Sequence, residues 1–230
     1  MGARCAWIIL VSAPLVRSRG DDVPQLALRR LGDGALAGIG AFTLAGIAAQ
    51  LARPDLDWVR APMSFYLLGD AGRWLQAGYF ALAIALSLLA VGWYRALRPG
   101  ARSAAPALLF ALGGGALAVT AVARTGTDGP PASFAAWLHV VAAQAAFLCT
   151  ATAMLLQAWR LRRDPRWRPD FAALFVLAWI AFAGLWAQAL WRDGPRGLTQ
   201  KAEIALIVAW LALAAWRLRR GPAAMARPSG

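Results

Sequence analysis

A six-helix transmembrane bundle is the fold this sequence predicts, on three observations. Hydrophobic residues make up 60 % of the 230-residue chain, above the roughly 45–50 % of ordinary globular domains. They gather into six runs near the length of about 20 residues that a spanning helix needs. Trp or Tyr stands at many run ends, as amphipathic rings do at headgroup level.

The elements follow in chain order. Residues 1–27 form an N-terminal extension. Its apolar stretch Ala6–Val16, between Arg4 and Arg17, is too short to span and resembles the core of a signal peptide. Cleavage there would place the new N-terminus outside and reverse the charge pattern described below. The segment therefore reads as an uncleaved extension, with the true start codon further downstream. A transmembrane domain occupies 28–220, with spans at about 31–52, 74–94, 104–123, 134–159, 171–191 and 202–216. Trp74, Trp93, Tyr94, Trp137, Trp159, Trp191 and Trp216 form the predicted aromatic belt. Residues 221–230 read as a disordered cytoplasmic tail.

Charge sets the orientation. Of the 24 Lys and Arg residues, 17 fall in the N-terminal segment, the second and fourth connections and the tail. The first, third and fifth connections hold seven, nearly neutralised by Asp55, Asp57, Asp70, Asp128, Asp193 and Glu203. Positive-inside logic puts both termini in the cytoplasm and the odd-numbered connections outside. The net charge of +13 is a topology signal that also favours anionic lipid headgroups, and membrane lipid is the expected partner. It does not indicate nucleic acid, because the arginines sit in short clusters between apolar runs, with no zinc-finger spacing and no basic recognition helix.

The polar features lie on the outward side. The segment Arg53–Arg73 carries three Arg and three Asp and balances its own charge. Pro54 and Pro62 bracket its first part, where Asp55 and Asp57 can cap backbone N–H groups or pair with Arg53 and Arg60. Residues 61–68 are too few to span; Met63, Phe65, Tyr66 and Leu67 suit a short interfacial segment that presents Ser64. The third connection, Thr125-Gly126-Thr127-Asp128-Gly129-Pro130-Pro131, is a tight acidic turn. It leads to His139, the only histidine. On a helical projection His139 shares a small-residue face with Ala142, Ala146, Thr150, Ala153 and Gln157, while Trp137, Val141, Leu148 and Trp159 lie opposite. A small face allows close helix approach, so His139 should point into the bundle. Gly34, Gly38 and Gly113-Gly114-Gly115 read as packing positions.

Several chemistries find no residues to carry them. One histidine cannot supply bis-His haem ligation, and no His/Cys/Asp cluster has zinc spacing. Cys5 and Cys149 read as free thiols. No phosphate-cradling Gly-Lys-Ser/Thr loop and no Gly-x-Ser-x-Gly occurs, so no cofactor and no metal are expected. Asp33 and Glu203 are placed at span ends, which argues against a proton- or sodium-coupled carrier.

The set Arg53-Pro54-Asp55-Leu56-Asp57, Ser64-x-Tyr66-x-x-Gly69, Thr127-Asp128 and His139 resembles the DUF998 family of bacterial and archaeal six-span membrane proteins. The likeness runs from about Leu31 to Trp216. It implies an integral protein of the cell membrane, in bacteria the inner membrane, and carries no settled activity. Phe65 stands where the family often has an acidic residue, and Gly126 where a Pro is common.

Two functional expectations result. In the first, the bundle is non-catalytic and its extracytoplasmic connections form a polar cap binding a lipid headgroup or small ligand through Arg53, Asp55, Asp57, Arg60 and Tyr66. In the second, Ser64, Asp128 and His139 converge as nucleophile, orienter and base of a hydrolase or acyl transferase acting on a lipid-like substrate.

Overall fold

Six helices close into a ring in which each packs against its neighbours in sequence and α6 returns to α1. The computed structural model describes residues 19–69, 72–123, 133–191 and 193–222. The helices are α1 (Arg19–Leu51), α2 (Gly72–Ala96), α3 (Ala104–Val122), α4 (Phe134–Leu161), α5 (Phe171–Leu190) and α6 (Arg196–Arg220), and no strand occurs among the described residues. Each is long and apolar enough to cross a membrane. Helix is what such sequences must adopt in hydrocarbon, because only intrahelical bonds satisfy every backbone N–H and C=O. Polar residues mark several ends: Ser103 accepts from the Ala105 N–H and Ser133 from the Ala136 N–H. Gly221, at φ 77°, closes α6 with its N–H on the Arg217 and Leu218 carbonyls.

Two helices are longer than expected. α1 continues N-terminally past residue 31 through Arg29 and Arg30. The Arg219 Nε lies 2.6 Å from Asp33 Oδ1 there, so the polar turns of α1 pack on α6 rather than fray. α6 extends beyond 202–216 at both ends. The apolar stretch Ala6–Val16, Cys5, Asp70 and Asp128 lie outside the described residues.

Lipid-facing and packed surfaces separate as the helical periodicity requires. Leu44, Leu51, Ile84, Leu108, Val176 and Leu190 are all more than half exposed, while Leu75, Ala85, Leu89, Phe110, Met154, Leu174 and Leu211 are fully buried. Gly38 and Gly114 are sites of close approach: a Cβ at Gly38 would lie 2.5 Å from the Ala81 carbonyl oxygen, and one at Gly114 2.9 Å from that of Ala83. On α4 the buried face contains His139, Ala142, Ala146, Thr150, Ala153 and Gln157, as projected, and Trp137, Val141, Leu148 and Trp159 are exposed. The aromatic belt holds for Trp74, Trp137, Trp159 and Trp191, all exposed, but not for Trp93. That indole is 1 % exposed and packs edge-on against Trp167, with centroids 4.8 Å apart.

The bundle has two unlike ends. At the basic end, with the second and fourth connections, the fully buried Asp164 receives the Arg98 N–H at 2.9 Å and two guanidinium N–H groups of Arg166. Arg166 also donates to the Ala96 carbonyl at 2.8 Å, and Arg217 pairs with Asp170 at 3.0 Å. At the cap end, the first and fifth connections meet. The segment read as interfacial is a 3-10 helix at Met63–Leu67. Its Met63 and Tyr66 are buried against α1, α2 and α6.

Candidate functional site

The first connection braces itself. Arg53 grips Asp55 with two parallel bonds, Nε to Oδ1 at 2.8 Å and Nη2 to Oδ2 at 2.7 Å, and its Nη1 donates to the Leu68 carbonyl at 2.9 Å. The hydrogen bond from Arg53 holds the Asp55 carboxyl below its ordinary range and raises the guanidinium in turn. Asp57 Oδ1 accepts the Val59 N–H at 2.9 Å, and the exposed Arg60 lies 3.7 Å from Asp57. Gly69, at φ 86°, turns the chain in the left-handed region that side chains disfavour. Asp55 and Asp57 thus do the capping and pairing expected of them, and their charges are used within the loop.

The loop then docks on the start of α6. Lys201 donates to the carbonyls of Trp58 at 2.8 Å and Ala61 at 2.7 Å, with its ammonium 5.1 Å from the Trp58 ring and 5.3 Å from the Tyr66 ring. Gln200 Oε1 accepts the Met63 N–H at 2.7 Å, and the Leu198 N–H reaches the Val59 carbonyl. Gly197 permits this contact, since a Cβ there would meet the Ala61 carbonyl oxygen at 2.6 Å. Sequence reasoning missed Gly197, Gln200 and Lys201. A signal was present in Lys201, the single lysine in a chain whose other basic residues are all arginine. A compact ammonium can bring one nitrogen to two converging carbonyls beside an aromatic face, a geometry that the larger planar guanidinium does not reproduce.

Beneath the docked loop lies a narrow cavity of about 80 Å³. It is lined along α4 from His139 to Thr150 and along α6 from Gln200 to Leu211, a helix rise of about 16 Å on each. It is therefore a slot, not a chamber. Ser64, Gln200, Thr120 and His139 supply polar groups toward its cap end, and Phe42, Leu86, Leu117 and Phe147 are among its apolar walls. Among the described residues no Asp, Glu, Lys or Arg lines it.

His139 is 3 % exposed, and its Nδ1 lies 3.1 Å from the Ala123 carbonyl oxygen at the end of α3. A carbonyl can only accept, so Nδ1 donates and Nε2 is the ring nitrogen left for another partner. The structure thus brings Ser64 and His139 to one cavity, while Asp128 lies outside the described residues. Arg53, Asp55, Asp57, Arg60 and Tyr66 do not line it. Tyr66 is 1 % exposed and packs under the loop, where burial raises its phenol above the usual range.

Glu203 is not at a span end. It lies in the second turn of α6, 3 % exposed, with Oε1 unpartnered among the described residues, and a Cβ at Gly184 of α5 would meet its Oε2 at 2.5 Å. The apolar run alone hid this, because α6 begins before the run does. Glu203 is thus a buried carboxylate inside α6, close to its cap end.

No curated protein and no solved structure matches this chain. The model of the family described as "Protein of unknown function (DUF998)" matches residues 36–217. That span takes in four helices whole, the second half of α1, most of α6, the docked loop and the slot, and the chain, a six-span helical membrane protein, belongs to the DUF998 family.

Proposed function

We propose that the protein is a non-catalytic, multi-pass binding protein of the cell membrane, with cytoplasmic termini, that holds an amphiphile. The ligand's chain enters the slot and its head group meets Ser64, Gln200 and His139 under the docked loop. The orientation rests on the positive-inside count. The observation that carries the reading is the slot itself: long, narrow and largely apolar, with Thr150 partway along it and its other polar side chains gathered at one end. The described lining residues carry no ionised side chain, which favours a head that hydrogen-bonds without net charge, because a buried unpaired charge is costly. This moves the ligand from the loop surface, where the arginines and aspartates satisfy one another, to the space beneath it.

The test is native mass spectrometry of gently extracted protein. Wild type should retain a co-purifying amphiphile. Ala146→Phe, which fills the slot from a wall position, should lose it, and His139→Ala should weaken its retention. Wild type emerging without any ligand, or Ala146→Phe retaining the same one, would refute the reading.

One observation favours a second reading. Ser64 shares the slot with a histidine whose Nδ1 is already held by a carbonyl, the arrangement a general base needs when a backbone oxygen replaces a carboxylate as orienter. Labelling of Ser64 by a fluorophosphonate, lost in His139→Ala, would support a hydrolase or acyl transferase. An inert Ser64 would exclude it.

A further inference from the structure

A second concavity lies on the opposite part of the bundle, on the lipid-facing side of α2 and α3. It is a groove of about 560 Å³ at the basic end, outside the ring. From α2 it takes Ser87, Ala90, Val91, Tyr94 and Arg95, and from α3 Ala104, Ala107, Leu108 and Ala111. Each set recurs every three or four residues, so each is one helix face. Alanine makes the floor, and the exposed Val91 and Leu108 make the rims. Over about 11 Å of helix rise the groove has the form of a seat for a hydrocarbon chain.

Its basic-end mouth is cationic. Arg95 is exposed, and neither Arg95 nor Arg102 forms an ion pair among the described residues. Arg102 is held in place: its Nη2 donates to the Leu97 carbonyl at 3.1 Å and its guanidinium stands 5.1 Å from the Tyr94 ring centroid. Its Nε is buried and has no hydrogen-bond partner among the described residues. A charged N–H left unbonded in a low-dielectric place is costly and calls for an acceptor. α3 begins at Ala104 beside it, so the positive end of the helix dipole adds to the same mouth.

We propose that this groove is a specific site for an anionic glycerophospholipid, with one acyl chain on the alanine floor and the phosphate at Arg95 and Arg102. The occupant is a lipid and not a free phosphate, because most of the groove is the lipid-facing surface of two membrane-spanning helices. It is an anionic lipid because the mouth carries two positive charges with no acidic partner among the described residues. The other basic clusters of this end lack either the groove or the freedom: Arg166 and Arg217 are already paired with Asp164 and Asp170. The site is independent of the slot beneath the docked loop and would stand if that reading failed.

The test is native mass spectrometry of the detergent-purified full chain, titrated separately with dioleoyl-phosphatidylglycerol and dioleoyl-phosphatidylcholine. Wild type should bind the phosphatidylglycerol about tenfold or more tightly than the phosphatidylcholine. Arg95→Gln/Arg102→Gln should lower phosphatidylglycerol affinity about thirtyfold, as the loss of two headgroup contacts implies, and leave the phosphatidylcholine unchanged. Ala107→Phe, which keeps all charge and fills the floor, should weaken both. Arg29→Gln/Arg30→Gln removes the same charge from exposed positions elsewhere at this end and should leave binding within twofold of wild type. Equal losses from the two double variants would reduce the effect to net charge and overturn the site. So would unaltered binding by Ala107→Phe, or a wild type that does not distinguish the two lipids.

Discussion

The two ends of this bundle are closed by different chemistry. At the basic end a fully buried carboxylate, Asp164, collects donors from the second and fourth connections, and two tryptophans interlock beside it. At the cap end the first connection is braced by an exposed arginine–aspartate pair. There it is fastened to α6 by Lys201, Gln200 and one backbone bond. The two closures yield in different ways. Breaking a buried charged cluster leaves an uncompensated charge in the interior and loosens the whole fold. Releasing the cap loop exposes carbonyls that water can reach, and it opens the slot without unthreading a helix. The rigid end holds the helices together and the looser end covers the candidate ligand.

The largest test of that contrast is Asp164→Ala. It strands the Arg166 guanidinium and the Arg98 N–H and should cost about 3 kcal/mol or more, read as a lowered midpoint of thermal unfolding in detergent. Its pH dependence has a definite sign. Burial raises the Asp164 carboxyl, but the Arg166 and backbone hydrogen bonds outweigh it and hold the group below the ordinary aspartate value. The contribution is therefore complete above the unfolded value of about 4 and is lost as pH falls through the lower folded value. Wild type should lose stability in acid more steeply than Asp164→Ala. Parallel acid profiles would show that the cluster does not carry the basic end.

An intermediate and more local effect is expected from Lys201→Met. Two carbonyls lose a charged donor, worth about 2 kcal/mol, and the loss should fall on the docked loop. Amide exchange of residues 58–66 should accelerate at least tenfold while that of α2 and α4 stays unchanged. Lys201→Arg should fail to restore protection, because a planar fork cannot replace the compact ammonium on both carbonyls and the Trp58 face. A uniform acceleration throughout the bundle would erase the distinction between the ends. The smallest effect belongs to Asp55→Asn: its pair with Arg53 is exposed and screened, so the unfolding midpoint should not move measurably at physiological salt. A clear drop would place the cap end on the same footing as the basic end.

Much of the fold is legible in the residues one run at a time. Six apolar stretches become six helices because each meets the requirement of the bilayer by itself, and the small-residue face of α4 is set by its own periodicity. The self-pairing of Arg53 with Asp55 is equally local, a matter of two residues' separation. The site was legible only in part. His139 is visible as the one histidine and Ser64 as a polar residue among apolar ones, but nothing in their spacing announces a shared slot. Trp93 has the composition of a belt residue and becomes core because Trp167 meets it from another connection.

What the sequence by itself determined, then, is which segments leave water, since that free energy is summed along the chain and needs no partner. Only the tertiary structure decided which faces meet. The Met63 N–H finds Gln200 across 137 residues, and the slot, the burial of Glu203 and the groove between α2 and α3 all depend on meetings of that kind. Their energies belong to pairs of distant surfaces, and no window along the sequence contains both members.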